Sequence, residues 1–209
     1  MKKTNMRVGS LVAACLFAGV ALGGCGSSDT KQAAPPAKQE QQAPAVAASG
    51  LKAAEFEQPM VITSIGQSAD AQMVKALAER SALKYTYEVA AKPDALANAK
   101  TLVLVIGGSS KGMGAAGVNQ AQEEERAKAL IVKAKEKNIK IIAMHVGGAS
   151  RRGELTDRFI PLMADANYTI LVAEGDNDKA FSKVVASKMP VDYPANIGEV
   201  GKYLKAAFK

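Results

Sequence analysis

The 209-residue chain predicts an α/β domain in three layers, αβα, around a parallel sheet. Three observations carry that expectation. From about Leu51 onward, five apolar runs alternate with stretches of helical periodicity. Two of those runs, Thr101–Ile106 (TLVLVI) and Lys140–His145 (KIIAMH), are almost unbroken apolar sequence, as central strands covered on both faces require. Glycine-rich segments stand directly after the first, third and fourth runs, where a strand hands over to a helix.

Each element has its own signal. Met60–Ile65 (MVITSI) is the first strand, and Ser68–Leu83 is a helix placing Met73, Val74, Leu77 and Ala78 on one face. Tyr85–Val89 (YTYEV) alternates and suits an edge strand. After Thr101–Ile106, Gly107–Gly117 (GGSSKGMGAAG) reads as a long loop. Asn119 stands three residues before Gln122, a capping box that opens a helix to Asn138. That helix buries Ala127, Leu130, Ile131 and Ala134 and turns Glu123–Arg126 outward. Lys140–His145 follows, then a helix over Glu154–Ala166 that Pro161 should kink. Tyr168–Ala173 (YTILVA) is the fifth strand and Asp178–Lys188 a helix. The segment KMPVDYPAN is a proline-stiffened connector, and Asn196 with Glu199 starts a last helix to about Phe208. Right-handed crossovers then favour a five-stranded, flavodoxin-like (Rossmann-like) sheet in the order 2-1-3-4-5.

The start of the chain predicts its compartment. Lys2, Lys3 and Arg7 precede an apolar stretch, Val8 to Leu22, too short to span a bilayer comfortably. Leu22-Gly23-Gly24-Cys25 resembles the lipobox of bacterial lipoproteins. The resemblance implies a signal peptide over residues 1–24, cleavage before Cys25, and a diacylglyceryl group with further acyl (palmitate-type) chains on that cysteine. Each buried CH₂ contributes about 0.8 kcal/mol, so two or three chains make a lasting anchor. The only other cysteine, Cys15, lies in the segment to be removed, so no disulfide is expected. Residues 25–50 are rich in Ala, Pro, Gln, Ser and Lys and have too little to bury to become ordered. They read as a tether with a reach of roughly 25–30 Å. Residues 51–209 are then one domain, lipid-anchored at the cell membrane or envelope on its extracytoplasmic side. Without Lys2, Lys3 and Arg7 the 27 basic residues become 24 against 20 acidic, a net of +4 with no basic run. Together with few aromatics this argues against nucleic acid as a partner.

In open parallel sheets, ligands bind outside the carboxyl ends of the strands, where the strand order reverses. The assumed order puts three loops there. The first carries Gly66, Gln67, Ser68 and Asp70. The second carries Gly107, Gly108, Ser109, Ser110, Lys111 and Gly112. The third carries His145, Gly147, Gly148, Ser150, Arg151 and Arg152. Glycine lets a backbone approach a solute, serines offer hydroxyls, and Arg grips a carboxylate or phosphate with two parallel bonds. Asp70, in the first turn of its helix, suits the helix dipole and could also meet a hydroxyl, an ammonium or a metal on the ligand side. The segments ITSIGQSADAQMVKAL, LVLVIGGSSKGMGAAG and HVGGASRRGELTDRFIPLM together resemble an uncharacterised family of exported bacterial α/β domains. That resemblance covers the whole segment after the tether and implies no known activity.

Sharper motifs fit less well. Gly112-Met113-Gly114-Ala115-Ala116-Gly117 matches G-x-G-x-x-G but starts several residues beyond the strand, and no acid follows the next strand to hold a ribose. Gly108 to Gly112 matches G-x-S-x-G, which would make Ser110 a nucleophile with His145, the single histidine, as its base. Glycine follows that serine where a helix should begin. No zinc spacing exists, and the acidic stretch Glu174–Asp178 lacks the closing glutamate of a calcium loop, so neither a metal nor another cofactor is expected. His145 closes an apolar strand and suits a buried, hydrogen-bonded role. The expected function is a non-enzymatic module that binds a small polar, anionic metabolite and serves a membrane transporter or sensor. The alternatives are a small extracytoplasmic serine hydrolase using Ser110 and His145, or an interaction domain of the cell envelope.

Overall fold

A computed structural model of the chain describes residues 50–185 and 188–209. The expected signal peptide, the lipidated Cys25 and the tether up to residue 49 lie outside the described residues. Among those described, no helix is long and apolar enough to cross a membrane.

The sheet is wholly parallel and has six strands in the order β2-β1-β3-β4-β5-β6. They are β1 (Met60–Ile65), β2 (Tyr85–Tyr87), β3 (Thr101–Ile106), β4 (Lys140–His145), β5 (Tyr168–Leu171) and β6 (Val191–Asp192). The helices are α1 (Asp70–Arg80), α2 (Ser110–Ala116), α3 (Gln120–Glu136), α4 (Glu154–Asp157), α5 (Ala180–Val185) and α6 (Ile197–Ala206). The reversal of strand order therefore lies between β1 and β3, where the sequence puts it.

Alternation along the central strands builds two cores. Leu102, Leu104 and Ile106 face α3, whose Ala127, Leu130, Ile131 and Ala134 are buried against them. Val103 and Val105 point the other way, toward Ala71, Val74 and Ala78 of α1 and Val200 and Leu204 of α6. Strand residues buried on both faces explain the unbroken apolar runs.

Five expectations need correction. A sixth strand exists where five were expected: Val191 and Asp192, inside the proline-stiffened connector, pair with Thr169 and Ile170. Two residues between prolines leave no periodicity to read. The Gly107–Gly117 segment is not all loop. Ser110–Ala116 is helical, its end held by Ser109 Oγ, which accepts from the Gly112 amide at 3.0 Å, and by the burial of Met113. Glu154–Ala166 is not one helix but α4 followed by a 3₁₀ turn over Ile160–Asp165, with Pro161 in its first turn where no N–H is missed. Glu123 does not turn outward but is fully buried, as taken up below. The ends of several elements are also shorter: α1 stops at Arg80, with Ala82 left-handed at φ 54°, and β2 stops at Tyr87. The Asn119–Gln122 capping box forms as read.

The last long strand is tied to the start of the described chain. Tyr168 on β5 donates its hydroxyl to Asp192 Oδ2 at 2.7 Å, and the same oxygen accepts from the Leu51 amide at 3.1 Å. Burial, reinforced by the bond to Asp192, pushes the Tyr168 hydroxyl well above its ordinary value of 10.0. Its neutral form is thus favoured in the fold. The stability this gives is complete below pH about 10 and is lost as pH rises through and beyond that value. Urea unfolding from pH 8 to 11 (from about two units below to about one above the free tyrosine value) should show stability falling at the alkaline end. Tyr168→Phe should flatten that fall while costing about 1 kcal/mol at neutral pH. An unchanged alkaline slope in the variant would contradict the assignment.

Candidate functional site

The loops after β1, β3 and β4 meet at one rim of the sheet, and hydrogen bonds stitch them together. The Ser109 amide donates to Gly66 O at 2.8 Å, joining the first loop to the second. The Gly108 amide donates to Thr156 Oγ1 at 2.8 Å, and that hydroxyl donates to Arg151 O at 2.7 Å, joining the second to the third.

Beneath the first loop sits a buried ion pair. Glu123, the fourth residue of α3, has no exposed surface. Its carboxylate accepts from the Gly66 amide at 2.9 Å and from the Gln67 side-chain amide at 3.0 Å. Arg126, one turn on, donates to both Glu123 oxygens at 2.9 and 2.7 Å, and also to Ala91 O and Ser64 O. Sequence reading placed these two residues outward. The signal was present: Glu123 is four residues before Ala127, seven before Leu130 and eleven before Ala134, on the buried stripe.

The same rim holds a second buried carboxylate in a different condition. Asp70 opens α1 and has no exposed surface. Neither of its oxygens has a hydrogen-bond partner, and they are the only buried side-chain atoms so left among the described residues. The strand ends press close around it: a Cβ on Gly107 would stand 2.7 Å from Asp70 Oδ2, and one on Gly147 2.9 Å. Only glycine leaves the carboxylate its space on both sides. Arg151 lies nearest, its Nε 3.4 Å from Asp70 Oδ1, with its own side chain half exposed. The stem of Arg151 crosses Gly147, where a Cβ would overlap its Cγ.

The remaining sequence candidates divide between structural work and solvent. Gln67 is buried with its amide on Glu123, in a left-handed conformation at φ 59°. Ser68 Oγ accepts from the Asp70 amide at 3.2 Å, Ser109 Oγ caps α2, and Ser150 Oγ donates to Gly147 O at 3.1 Å. Arg152 is locked. It holds Asp157 and both oxygens of Asp178 at 2.8 Å, donates to Gly175 O, and lies 5.1 Å over the Phe181 ring. Those bonds hold Asp178 well below the usual carboxylate range and push Arg152 further up. Ser110 and Lys111 are exposed in the first turn of α2. Gly66 and Gly148 have positive φ, and Gly108 and Gly112 lie where backbones cross.

His145 is fully buried against Phe181, the ring centroids 4.7 Å apart. Its Nδ1 lies 3.0 Å from Ile106 O and its Nε2 3.1 Å from Gly148 O. With both nitrogens facing carbonyl oxygens, no free imidazole lone pair is offered to a serine. The helix after Ser110 does begin where a nucleophile elbow would need it, but the base is engaged elsewhere. Among the described residues no three His, Cys, Asp or Glu side chains group to hold a metal ion. A groove of about 500 Å³ lies between residues preceding β3 and β4, near Lys100 and Lys137, and Lys137 is already bonded there to Leu96 O and Ala97 O.

Over residues 57–208 the chain matches DUF6305, a domain of unknown function, and it belongs to that family. No curated protein and no solved structure matches it.

The two carboxylates should respond oppositely to neutralisation. Asp70→Asn removes a buried charge that no hydrogen bond satisfies and should raise unfolding stability by about 1–3 kcal/mol. Glu123→Gln breaks a satisfied pair and strands Arg126, costing about 3–5 kcal/mol. Chemical denaturation of the two variants checks both signs; a loss of stability in Asp70→Asn as large as in Glu123→Gln would make Asp70 an ordinary structural residue.

Proposed function

We propose that this is a membrane-tethered binding domain that takes a small polar metabolite at the carboxyl rim of its strands. Asp70 is the observation that carries the reading. The fold supplies partners to its other deeply buried acids. Glu123 has the Gly66 amide, Gln67 and Arg126. Asp176 has the amides of Phe181 and Ser182 and the hydroxyls of Ser182 and Tyr193. Among the buried acids of the described residues, Asp70 alone receives no hydrogen bond, and it stands at the crossing point where such sheets bind ligands. A buried polar group without partners costs stability, so a role outside the fold's own bonding explains its presence.

An acidic group of the metabolite falls to Arg151 and Lys111, since Arg152 is fully engaged with Asp157 and Asp178. The ligand reaches the domain outside the cytoplasm, where lipidated Cys25 and the tether hold it near a membrane and a transporter or sensor receives what it captures. The lipobox resemblance supports that placement, together with a net charge too evenly spread for nucleic acid.

The purified full chain, screened calorimetrically against carboxylates, phosphates, nucleosides and amino acids, should bind one class. Lys111→Ala combined with Arg151→Ala should weaken that binding at least about tenfold, more at low ionic strength, with little change in Tm. Binding unaffected by the double variant would remove the site. Absence of any small ligand, with a protein co-purifying, would replace the reading by an interaction domain, and ester turnover lost in Ser110→Ala by a hydrolase. Cys25→Ala should move the chain from the membrane to the soluble fraction of the host cell; retention at the membrane would contradict the lipid anchor.

A further inference from the structure

The geometry points to a ligand that carries a carboxylate and, on the adjacent carbon, an ammonium or hydroxyl group: an α-amino acid or a 2-hydroxy acid. This rests on the reading of Asp70 and Arg151 as a binding site. The argument is one of complementary needs. Asp70 is a buried carboxylate that can only accept, and no hydrogen bond reaches either oxygen. Arg151 is a half-exposed guanidinium that can only donate, with its Nε 3.4 Å from Asp70 Oδ1. The two opposite charges therefore sit within one small solute's width, one fixed in the rim and one on a long side chain free to swing.

A plain anion fits half of this. It would gain the guanidinium but come to rest against a carboxylate in a water-poor setting, where like charges repel strongly. A plain cation fits the other half and meets Arg151. A solute with both groups exchanges the single internal contact for two of its own. Its donor reaches Asp70, and its carboxylate takes the forked face of Arg151 in parallel bonds. Gly107 and Gly147 wall the Asp70 carboxylate on two sides. Substituents on Gly107 or Gly147 would fall within 3 Å of Oδ2, so the donor must be a terminal, compact group. The close approach of the two charges sets the other preference: a solute whose acid and donor stand on neighbouring carbons replaces their contact with the least displacement of Arg151. Arg152 stays fixed during the exchange, because Asp157, Asp178 and Gly175 hold it, so only Arg151 need move.

Four near-isosteric probes separate the possibilities on the full chain by calorimetry: alanine, lactate, propionate and ethylamine. Alanine or lactate should bind at least about tenfold more tightly than propionate and ethylamine, and Asp70→Asn should erase that advantage. The comparison of alanine with lactate tells an ammonium from a hydroxyl. Arg151→Ala, whose half-exposed side chain can be lost without unfolding, should weaken alanine and lactate and leave ethylamine unchanged or improved. Propionate binding as well as either would overturn the inference in favour of a simple anion site, and ethylamine binding as well would leave Asp70 acting alone. If none of the four binds while phosphate or a nucleoside does, the ligand class is wrong and the binding-domain reading stands. If nothing in the wider screen binds, both fall.

Discussion

The Glu123–Arg126 pair is the constraint on which the rim depends. It lies under the β1–α1 loop with its acid fully buried, and it reaches upward to the Gly66 amide and the Gln67 side chain. It also reaches sideways, through Arg126, to carbonyls at Ser64 and Ala91. Gln67 is held left-handed, a conformation that a non-glycine residue adopts at some cost. Backbone groups that would otherwise be stranded between β1 and α3 are thereby satisfied. Two consequences follow for the site. The loop that delivers Asp70 to the rim is rigid from below, and the isolated bridge between Gln67 and Gly108 passes that rigidity to the loop after β3. A ligand bound at this rim, as proposed, would meet a surface already in place and be spared the entropy of ordering it.

Comparing buried acids within one molecule sharpens the case for Asp70. The same chain that surrounds Glu123 and Asp176 with amides, hydroxyls and a guanidinium makes no hydrogen bond to the Asp70 carboxylate, although Ser68 Oγ is close enough to bond the Asp70 amide. The dipole at the start of α1 favours a negative charge there but supplies no hydrogen bond to it. The partial compensation comes from Arg151, a residue whose other side faces water. Selection for stability alone would favour an uncharged residue at this position or a donor beside it. The arrangement makes sense when the missing donor arrives with a solute.

Much of the fold is legible in the chain because its strongest signals are local. Unbroken runs such as TLVLVI can only be central strands here, and their alternation with helices fixes a parallel sheet and the place where its order reverses. What escapes reading is what long-range contact decides. β6 is two residues long and exists because Thr169 and Ile170 offer it a free edge. α2 contains two glycines, which depress helix formation, and is rescued by a serine cap and by Met113 finding the core. The gathering of three glycine-rich loops follows from topology and was foreseen, but the charges within them were not sorted. Arg151 and Arg152 are adjacent and chemically identical. Only contacts with Asp157, five residues on, and with Asp178 and Phe181, over twenty residues on, make one a fixed post and leave the other half exposed. Glu123 was legible by helical phase and was misread because a charged residue near a helix start is normally solvated.

A single-lobed domain faces a problem that two-lobed receptors solve by closing one lobe on the other: water must be kept from a charged ligand. Here the rim offers one side chain for that work. Arg151 lies against the buried Asp70, and in the proposed exchange the same guanidinium is the group that would close over a ligand's carboxylate. The internal contact acts as a competitor, because a ligand gains only the difference between its own bonds and the one it displaces. Apparent affinity scales with the fraction of molecules in which Arg151 stands clear of Asp70. A contact of 3.4 Å, longer than a good charge-assisted bond, is a weak competitor. A cover of this kind favours small solutes that exchange readily over large ones held for long. That is the behaviour the proposed membrane-tethered domain would need if it is to hand its ligand on.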